Sequence, residues 1–431
     1  MNKKDKTANQ DSGKRVFFGN KDSLTQLDLI EIQKDSWNLF LNDGLKNILT
    51  EFFPLDDYTK KNFTLELVDI FFGEPQYDLP KCFRMKLTYQ FPVYAKIKLT
   101  NKKRATEKVQ DIYFFNLPKM TDRGTFVING IERAVISQIS RAPGVYFTAD
   151  VDKTTGIMTY NAEIRPYIGA WLDFSITKNN IIEAKINKRR KFYVTSFIRS
   201  FKNISDNDLL QLFSQYLDQD LIAKYIVPTL EKDPAKTKDE AVLEIYKKIR
   251  PGEPLVLSTA NEALENLFFN SRRYTLEAVG RYKINKKLGL DVAIDKENYT
   301  LSLQDIVASV SYLINLTIGK GSFDNIDHLA NRRIRACGEL VGMYGIRVGM
   351  VRAERDIKSR MSMTVPEEEV LPSQIVNSKA VAAAVNSFFK TSQLSTIVEQ
   401  TNPLSELDNI RRITVAGPGG LAKERASFSI R

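Results

Sequence analysis

The residues best suited to chemistry lie near the end of the sequence. Gly417-Pro418-Gly419-Gly420 is followed by Lys423 and Arg425. Bare backbone N–H groups beside cations suit an anion such as phosphate. The GKS or GKT of a nucleotide-binding P-loop is absent, however, and a glycine-rich tetrapeptide of this kind is more often simply a turn. Two further cationic stretches stand out, Lys185–Lys191 (KINKRRK) and the arginine-rich segment 326–361. For both, a solvated face with Glu–Arg pairs one helical turn apart competes with polyanion binding.

Other chemistries are poorly supplied. Cys82 and Cys337 are the only cysteines and form no CxxC, which argues against a disulfide framework and against a zinc site. His328 is the only histidine, so a multi-histidine metal site is excluded. No DxDxD carboxylate triad marks a two-metal phosphoryl-transfer centre. Carboxylate pairs such as Glu367 and Glu369 lie in polar sequence that reads as surface loop.

Stepping outward, Lys and Arg outnumber Asp and Glu by 63 to 52, a net charge of +11. That excess favours polyanionic partners such as nucleic acid. A chain of 431 residues exceeds one ordinary core, so two or three domains are expected. The polar residues 1–20 read as a disordered N-terminus. With no secretory signal and no run of about 18 apolar residues, a cytoplasmic protein with no membrane association is expected.

The elements follow from periodicity. Leu24–Leu49 carries apolar residues near a 3.6 spacing (Leu27, Ile30, Trp37, Phe40, Leu41) and predicts a helix. Residues 63–118 are rich in aromatic and β-branched types and predict strands, with Asn101–Lys108 as a basic loop. Asn129-Gly130 between two apolar runs predicts a hairpin with a type I′ turn. More strands are expected over 157–200, then helices at Asp206–Tyr225, Lys238–Ile249 and Asn261–Phe269, broken by Pro251-Gly252-Glu253-Pro254. The spacing in 326–361 predicts one or two helices with basic faces. Ser378–Lys390 reads as a helix, and Asn402-Pro403 as the N-cap and first position of another. A short strand is expected at Ile413–Ala416. The fold class is α+β, with residues 148–325 inserted as a separate domain.

The segment Thr391–Arg431 carries more than pattern. Its SQLS, Q-x-NPLSE, RR-I-T and GPGGL-x-K-ERA-x-F blocks resemble, in order and spacing, the rifamycin-pocket and fork region of the bacterial RNA polymerase beta subunit. Four other blocks agree: Thr121–Phe147 (TDRGTFVINGIERAVISQISRAPGVYF), Tyr167–Phe174 (YIGAWLDF), Tyr274–Lys283 (YTLEAVGRYK) and Asp327–Arg355. The resemblance implies a protrusion domain formed by residues 21–147 plus 326–400, a lobe domain at 148–325, and the start of the fork region at 401–431. It implies one wall of the cleft that holds DNA and the RNA–DNA hybrid.

Site residues carry over position by position. Arg411, Arg412, Lys423 and Arg425 are expected near template or transcript, and Gln393 near the RNA backbone. Arg141, Trp171, Ile326, Asp327, Arg332 and Leu421 match a pocket for an unstacked non-template base. Asn187 stands where that pocket usually has Asp, and ordinary core packing is the competing reading of Trp171. The rifamycin-pocket positions are Ile136, Leu394, Ser395, Thr396, Ile397, Glu399, Asn409, Arg412, Thr414 and Ala416. Six depart from the drug-sensitive pattern: Asn409 replaces His, Thr396 Gln, Ile397 Phe, Glu399 Asp, Thr414 Ser and Ala416 Leu.

The implied partners are the alpha, beta′, omega and sigma subunits, template and non-template DNA, and nascent RNA. No cofactor is expected in this chain; magnesium is expected in the assembled enzyme, on beta′. No catalytic residue is assigned here, so the chain alone should not polymerise RNA. The family continues past ERASFSIR, which leaves a truncated sequence, a split gene or a fragment as explanations. The alternative function is a split or degenerate non-enzymatic nucleic-acid-binding chain.

Overall fold

The computed structural model describes residues 28–151, 156–365 and 369–421. Two separate hydrophobic cores organise them. The first gathers buried side chains from Trp37 to Val135 and again from Cys337 to Leu394, and the second gathers those from Val145 to Leu316. The chain thus leaves the first core, builds the second, and returns.

The first core begins with helices α1 (Glu31–Leu39) and α2 (Leu45–Phe52), joined by a π-helical stretch at Phe40–Gly44. The predicted helix is present from Glu31 onward; Leu24–Leu27 lie outside the described residues. Strands β1 (Leu55–Asp56), β2 (Phe63–Phe72), β3 (Gln90–Asn101) and β4 (Thr106–Pro118) form an antiparallel sheet in that order. Alternate residues of β3 are buried (Phe91, Val93, Ala95, Ile97, Leu99), the period-two signature of a sheet covered on one face. Here Asn101–Lys108 departs from expectation. Cross-strand pairs such as Thr100 with Glu107 and Asn101 with Thr106 extend the ladder, leaving only residues 102–105 as the turn. A short helix, α3 (Leu79–Arg84), also interrupts the expected strands.

The Asn-Gly hairpin forms as predicted. Strands β5 (Phe126–Ile128) and β6 (Ile131–Val135) pair antiparallel. Asn129 and Gly130 have φ of 51° and 76°, both positive as a type I′ turn requires. The run then breaks at Ile136, and β7 (Ser137–Arg141) joins a different sheet.

The second core opens with β8 (Gly144–Val151), β9 (Met158–Arg165), β10 (Leu172–Ile176), β11 (Ile182–Ile186) and β12 (Lys191–Tyr193), an antiparallel meander. Its buried face is Val145, Phe147, Ala162, Ile164, Leu172, Phe174, Ala184 and Ile186. Helices α4 (Val194–Phe201), α5 (Asp206–Ser214), α6 (Gln219–Leu221), α7 (Val227–Lys232), α8 (Lys238–Ile249), α9 (Leu257–Phe268), α10 (Glu277–Leu288) and α11 (Leu303–Thr317) complete it. A capping box at Thr237 and Glu240 sets the start of α8, which matches its predicted range.

On the return, the arginine-rich segment is not all helix. Arg332–Arg335 is strand β13, paired antiparallel with β7. Ladder bonds to an existing strand outweigh the helix propensity of arginine here. Helices α12 (Cys337–Leu340) and α13 (Val348–Met363) follow, separated by a π-helical stretch at Val341–Arg347. Then come α14 (Pro372–Ile375), α15 (Lys379–Thr391), β14 (Ser395–Ile397), α16 (Pro403–Arg411) and β15 (Ile413–Thr414). Asn402 caps α16 as expected, its side chain accepting from the Leu404 amide at 2.9 Å. Both cysteines are buried and free. Mixed helix and sheet bear out the α+β class.

Candidate nucleic-acid interface

Strands β6 and β7 are where the sequence blocks converge. β14 pairs with β6, and β7 lies between β13 and β15. The three blocks around residues 121–147, 327–355 and 391–421 are therefore stitched together by backbone ladders. The other two meet in the second core, where Tyr167 and Thr275 share a backbone bond of 2.9 Å and Ile168 bridges Thr275.

The outward face of the β8–β11 sheet carries charge. Cross-strand register puts Tyr146, Glu163, Asp173 and Lys185 in one row. Glu163 binds two arginines, Arg141 at 2.5 Å and Arg165 at 2.7 Å. Burial pushes the Glu163 carboxyl up, but Arg165 and Arg141 outweigh it and hold it below its usual value. Neighbouring Asp173 is raised, chiefly by burial, with Arg165 offsetting and Glu163 adding to the shift.

Trp171 stands at the edge of this row and is 37% exposed, which overturns its reading as ordinary core. Arg165 covers one face of the indole, its guanidinium carbon 3.8 Å from the ring centroid. Lys188 lies 5.9 Å from the same centroid. Asn187 holds the Trp171 backbone from both sides: its amide donates to the Trp171 carbonyl and its Oδ1 accepts from the Trp171 N–H, each at 2.8 Å. Asn187 and Lys188 take positive φ of 50° and 58°, forming the β11–β12 turn. The basic run Lys185–Lys191 is therefore a hairpin tip beside Trp171.

Arg332 faces Arg141 across the β13–β7 ladder and pairs with Asp327 at 2.7 Å. Ile326 is buried beside them. Glu163, Asp173, Lys188, Ile326 and Asp327 line a cleft of 660 Å³ between the sheet and the 323–327 strap. Arg141, Trp171, Arg332, Asp327 and Ile326 thus gather around one sheet edge. Leu421 lies on the loop after β15, its amide donating to the Val415 carbonyl at 2.9 Å.

The antibiotic-pocket positions divide by depth. Ile136, Leu394, Ser395 and Asn409 are buried; Thr396, Thr414 and Ala416 are half-buried; Ile397, Glu399 and Arg412 are exposed. Thr396 Oγ1 is buried without a hydrogen-bond partner. Gln393 and Arg411 are exposed, and Arg412 pairs with Asp408 one turn away. Lys423 and Arg425 lie outside the described residues. The Gly417–Gly420 turn is held from within: Gln138 Nε2 donates to the Ala416 and Pro418 carbonyls at 3.1 Å each. The Gly420 and Leu421 amides are spent on Gly417 and Val415, so they do not cradle an anion.

Sequence reasoning missed Glu163 and Arg165. Their two-residue spacing on a strand places them on one face, a signal that was available. A second cleft, 900 Å³, is lined by both signs of charge, Arg272, Arg273, Arg347 and Arg355 facing Glu51, Asp56 and Glu354, and joins residues too distant in sequence to be grouped beforehand. His328 makes a local cap, its Nδ1 accepting from the Ala330 amide at 3.1 Å. Among the described residues, no group of three or more His, Cys, Asp and Glu side chains could hold a metal ion.

The family described as RNA polymerase Rpb2, domain 2, matches residues 141–335. That span runs from the last residue of β7 to the last of β13, and so encloses the second core with the two strand ends that lead into and out of it. The beta subunit of DNA-directed RNA polymerase from Gloeobacter violaceus is 44% identical over 405 residues, 94% of this chain and 35% of the relative. The same subunit from Syntrophomonas wolfei is 43% identical over 403 residues, and that from Synechocystis 44% over 409. The chain corresponds to an N-terminal part of the RNA polymerase beta-subunit family. It spans about a third of the length of these curated relatives (35% for the first two).

Proposed function

We propose that this chain forms one wall of the nucleic-acid cleft of a DNA-directed RNA polymerase. In this reading the first core is the protrusion, the second core the lobe, and the segment from residue 401 the start of the fork. The observation that carries it is the half-exposed Trp171, backed by Arg165 and approached by Lys188, with Arg165 tied through Glu163 to Arg141. An indole with one face covered by a guanidinium presents the other for stacking, and base–aromatic stacking tolerates any base. The surrounding cations neutralise phosphates without choosing sequence. Asp327, held by Arg332, is the group able to accept from a base edge.

The remaining partners follow from the same reading: alpha, beta′, omega and sigma subunits, both DNA strands and the transcript. Magnesium and its carboxylates belong to beta′, and this chain's residues bind and orient nucleic acid. No helix of the described residues is long and apolar enough to cross a membrane.

Intrinsic fluorescence offers a direct test, because Trp37 is 3% exposed in the first core and Trp171 is the only other tryptophan. Single-stranded DNA should quench part of the emission of the full chain. Trp171→Phe should abolish that response, and Trp171→Ala should weaken binding by about 1–3 kcal/mol. Equal quenching in the Trp171→Phe variant would contradict the proposal.

A further inference from the structure

A continuous polar chain runs along the seam between the two cores and ends on the Gly417–Gly420 loop. Beside its start, within electrostatic reach of Arg333 and Glu339, stands Glu277, the first residue of α10, at a φ of 54° that side chains other than glycine rarely adopt. Arg333 lies over the Tyr167 ring, 4.8 Å from its centroid, and pairs with Glu339. Glu339 stands 3.8 Å from Arg335 Nε. Arg335 donates to the Tyr344 hydroxyl at 3.0 Å, and that hydroxyl donates to the Pro418 carbonyl at 2.7 Å.

Tyr344 lies within the π-helical stretch Val341–Arg347. Such a stretch widens the helix and re-aims a side chain, and it is frequently found at functional positions. The loop is fitted to it: a Cβ on Gly419, which has a φ of 69°, would collide with the Tyr344 hydroxyl and lie 2.9 Å from Arg335. Glu277, Arg333, Arg335 and Glu339 are half-buried, where charge pairs are less screened than on the open surface, while the Tyr344–Pro418 bond lies at the surface.

We infer that Tyr344 is a latch through which the pairing of Arg333, Glu339 and Arg335 sets the position of the Gly417–Gly420 loop. Two arrangements of the same residues are available. With Arg333 on Glu339, as observed, Glu339 reaches Arg335 only at 3.8 Å, and Arg335 still donates to Tyr344 at 3.0 Å. If Arg333 is drawn toward Glu277 instead, Glu339 turns to Arg335 and competes with Tyr344 for it. The loop then keeps only Gln138.

Glu277 supplies the lever. Burial pushes its carboxyl up to about 7, against the pull of Arg333 and with the push of Glu339 and Glu51. The other charged and titratable groups at this seam are Tyr167, whose hydroxyl is raised chiefly by burial, and Arg347, which pairs with Glu51. Below pH 7 the neutral Glu277 leaves Arg333 on Glu339; above it the charged Glu277 competes for Arg333.

Hydrogen exchange of the peptide covering residues 415–421, corrected for the intrinsic pH dependence of exchange, reads the latch in the full chain without nucleic acid. Its outcome is therefore independent of the cleft reading. Protection should fall about fivefold between roughly pH 6 and pH 8, the size of one net hydrogen bond. Glu277→Gln should hold the low-pH value throughout. Tyr344→Phe should be low at every pH, and the double variant should match it. A flat profile in the parent chain, or an undiminished pH response in Tyr344→Phe, would overturn the inference. If Tyr344→Phe fails to fold, as shown by lost protection in α15 of the first core, the parent and Glu277→Gln profiles decide alone: an unchanged pH response in Glu277→Gln overturns it.

Discussion

Asn187, Thr396 and Asn409 show how much single residues shape this surface. Asn187 occupies a left-handed position that Asn and Asp tolerate better than other side chains, and its Oδ1 is already spent on the Trp171 N–H. A site built this way uses the side chain to set the tryptophan and not to contact a ligand. At the antibiotic positions, Asn409 is 8% exposed and Thr396 keeps an unpaired hydroxyl, so neither reproduces the longer polar groups usual in sensitive relatives. A polar ligand group left unpaired on burial costs about 1–3 kcal/mol. Weak rifamycin binding by the assembled enzyme is the expected outcome, measured as transcription in the presence of rifampicin. Inhibition at sub-micromolar drug would contradict it. These departures were legible in the sequence. The role of Glu163 was legible only in part: its spacing from Arg165 is local, but its second arginine lies 22 residues away.

Elements with local punctuation were readable in advance, and elements made by long-range pairing were not. The Asn129-Gly130 turn, the Thr237 capping box and the Asn402 cap each encode their geometry within a few residues. Strand β13 could not be found that way, since its four residues become a strand only by pairing with β7, almost 200 residues earlier. The same holds for Arg281 on α10. It is 1% exposed and bonds Asp305 at 2.6 Å, with its other nitrogens on the Asn298 and Thr300 carbonyls at 2.8 Å each. Asp305 also closes the capping box of α11. Breaking one side of such a buried pair costs about 3–5 kcal/mol because the other charge is left uncompensated. Arg281→Ala should therefore lower the unfolding free energy of the second core by that amount, seen as a lower urea midpoint, while the first core's transition stays in place. An unchanged unfolding profile would show that water satisfies Asp305 after all.

At the scale of the whole molecule, the two cores meet along a line of polar contacts, with β7 and β13 carrying the chain between them. Residues 148–325 hold 25 Lys and Arg against 23 Asp and Glu, little of the net charge of +11, so basicity alone did not locate the site. Order came from the sheet register, which gathers Arg141, Arg332, Arg165 and Trp171 on one edge. A wall assembled from two bodies can be positioned by their seam, which is where the Tyr344 latch sits. The central claim is that this edge faces nucleic acid in an assembled polymerase. A photo-crosslinking amino acid placed at position 171 of the chain, assembled with the remaining subunits on promoter DNA, tests it most directly. The account predicts a crosslink to the non-template strand within the open bubble, lost when DNA is omitted. Crosslinks confined to protein, with the same pattern whether or not DNA is present, would contradict it.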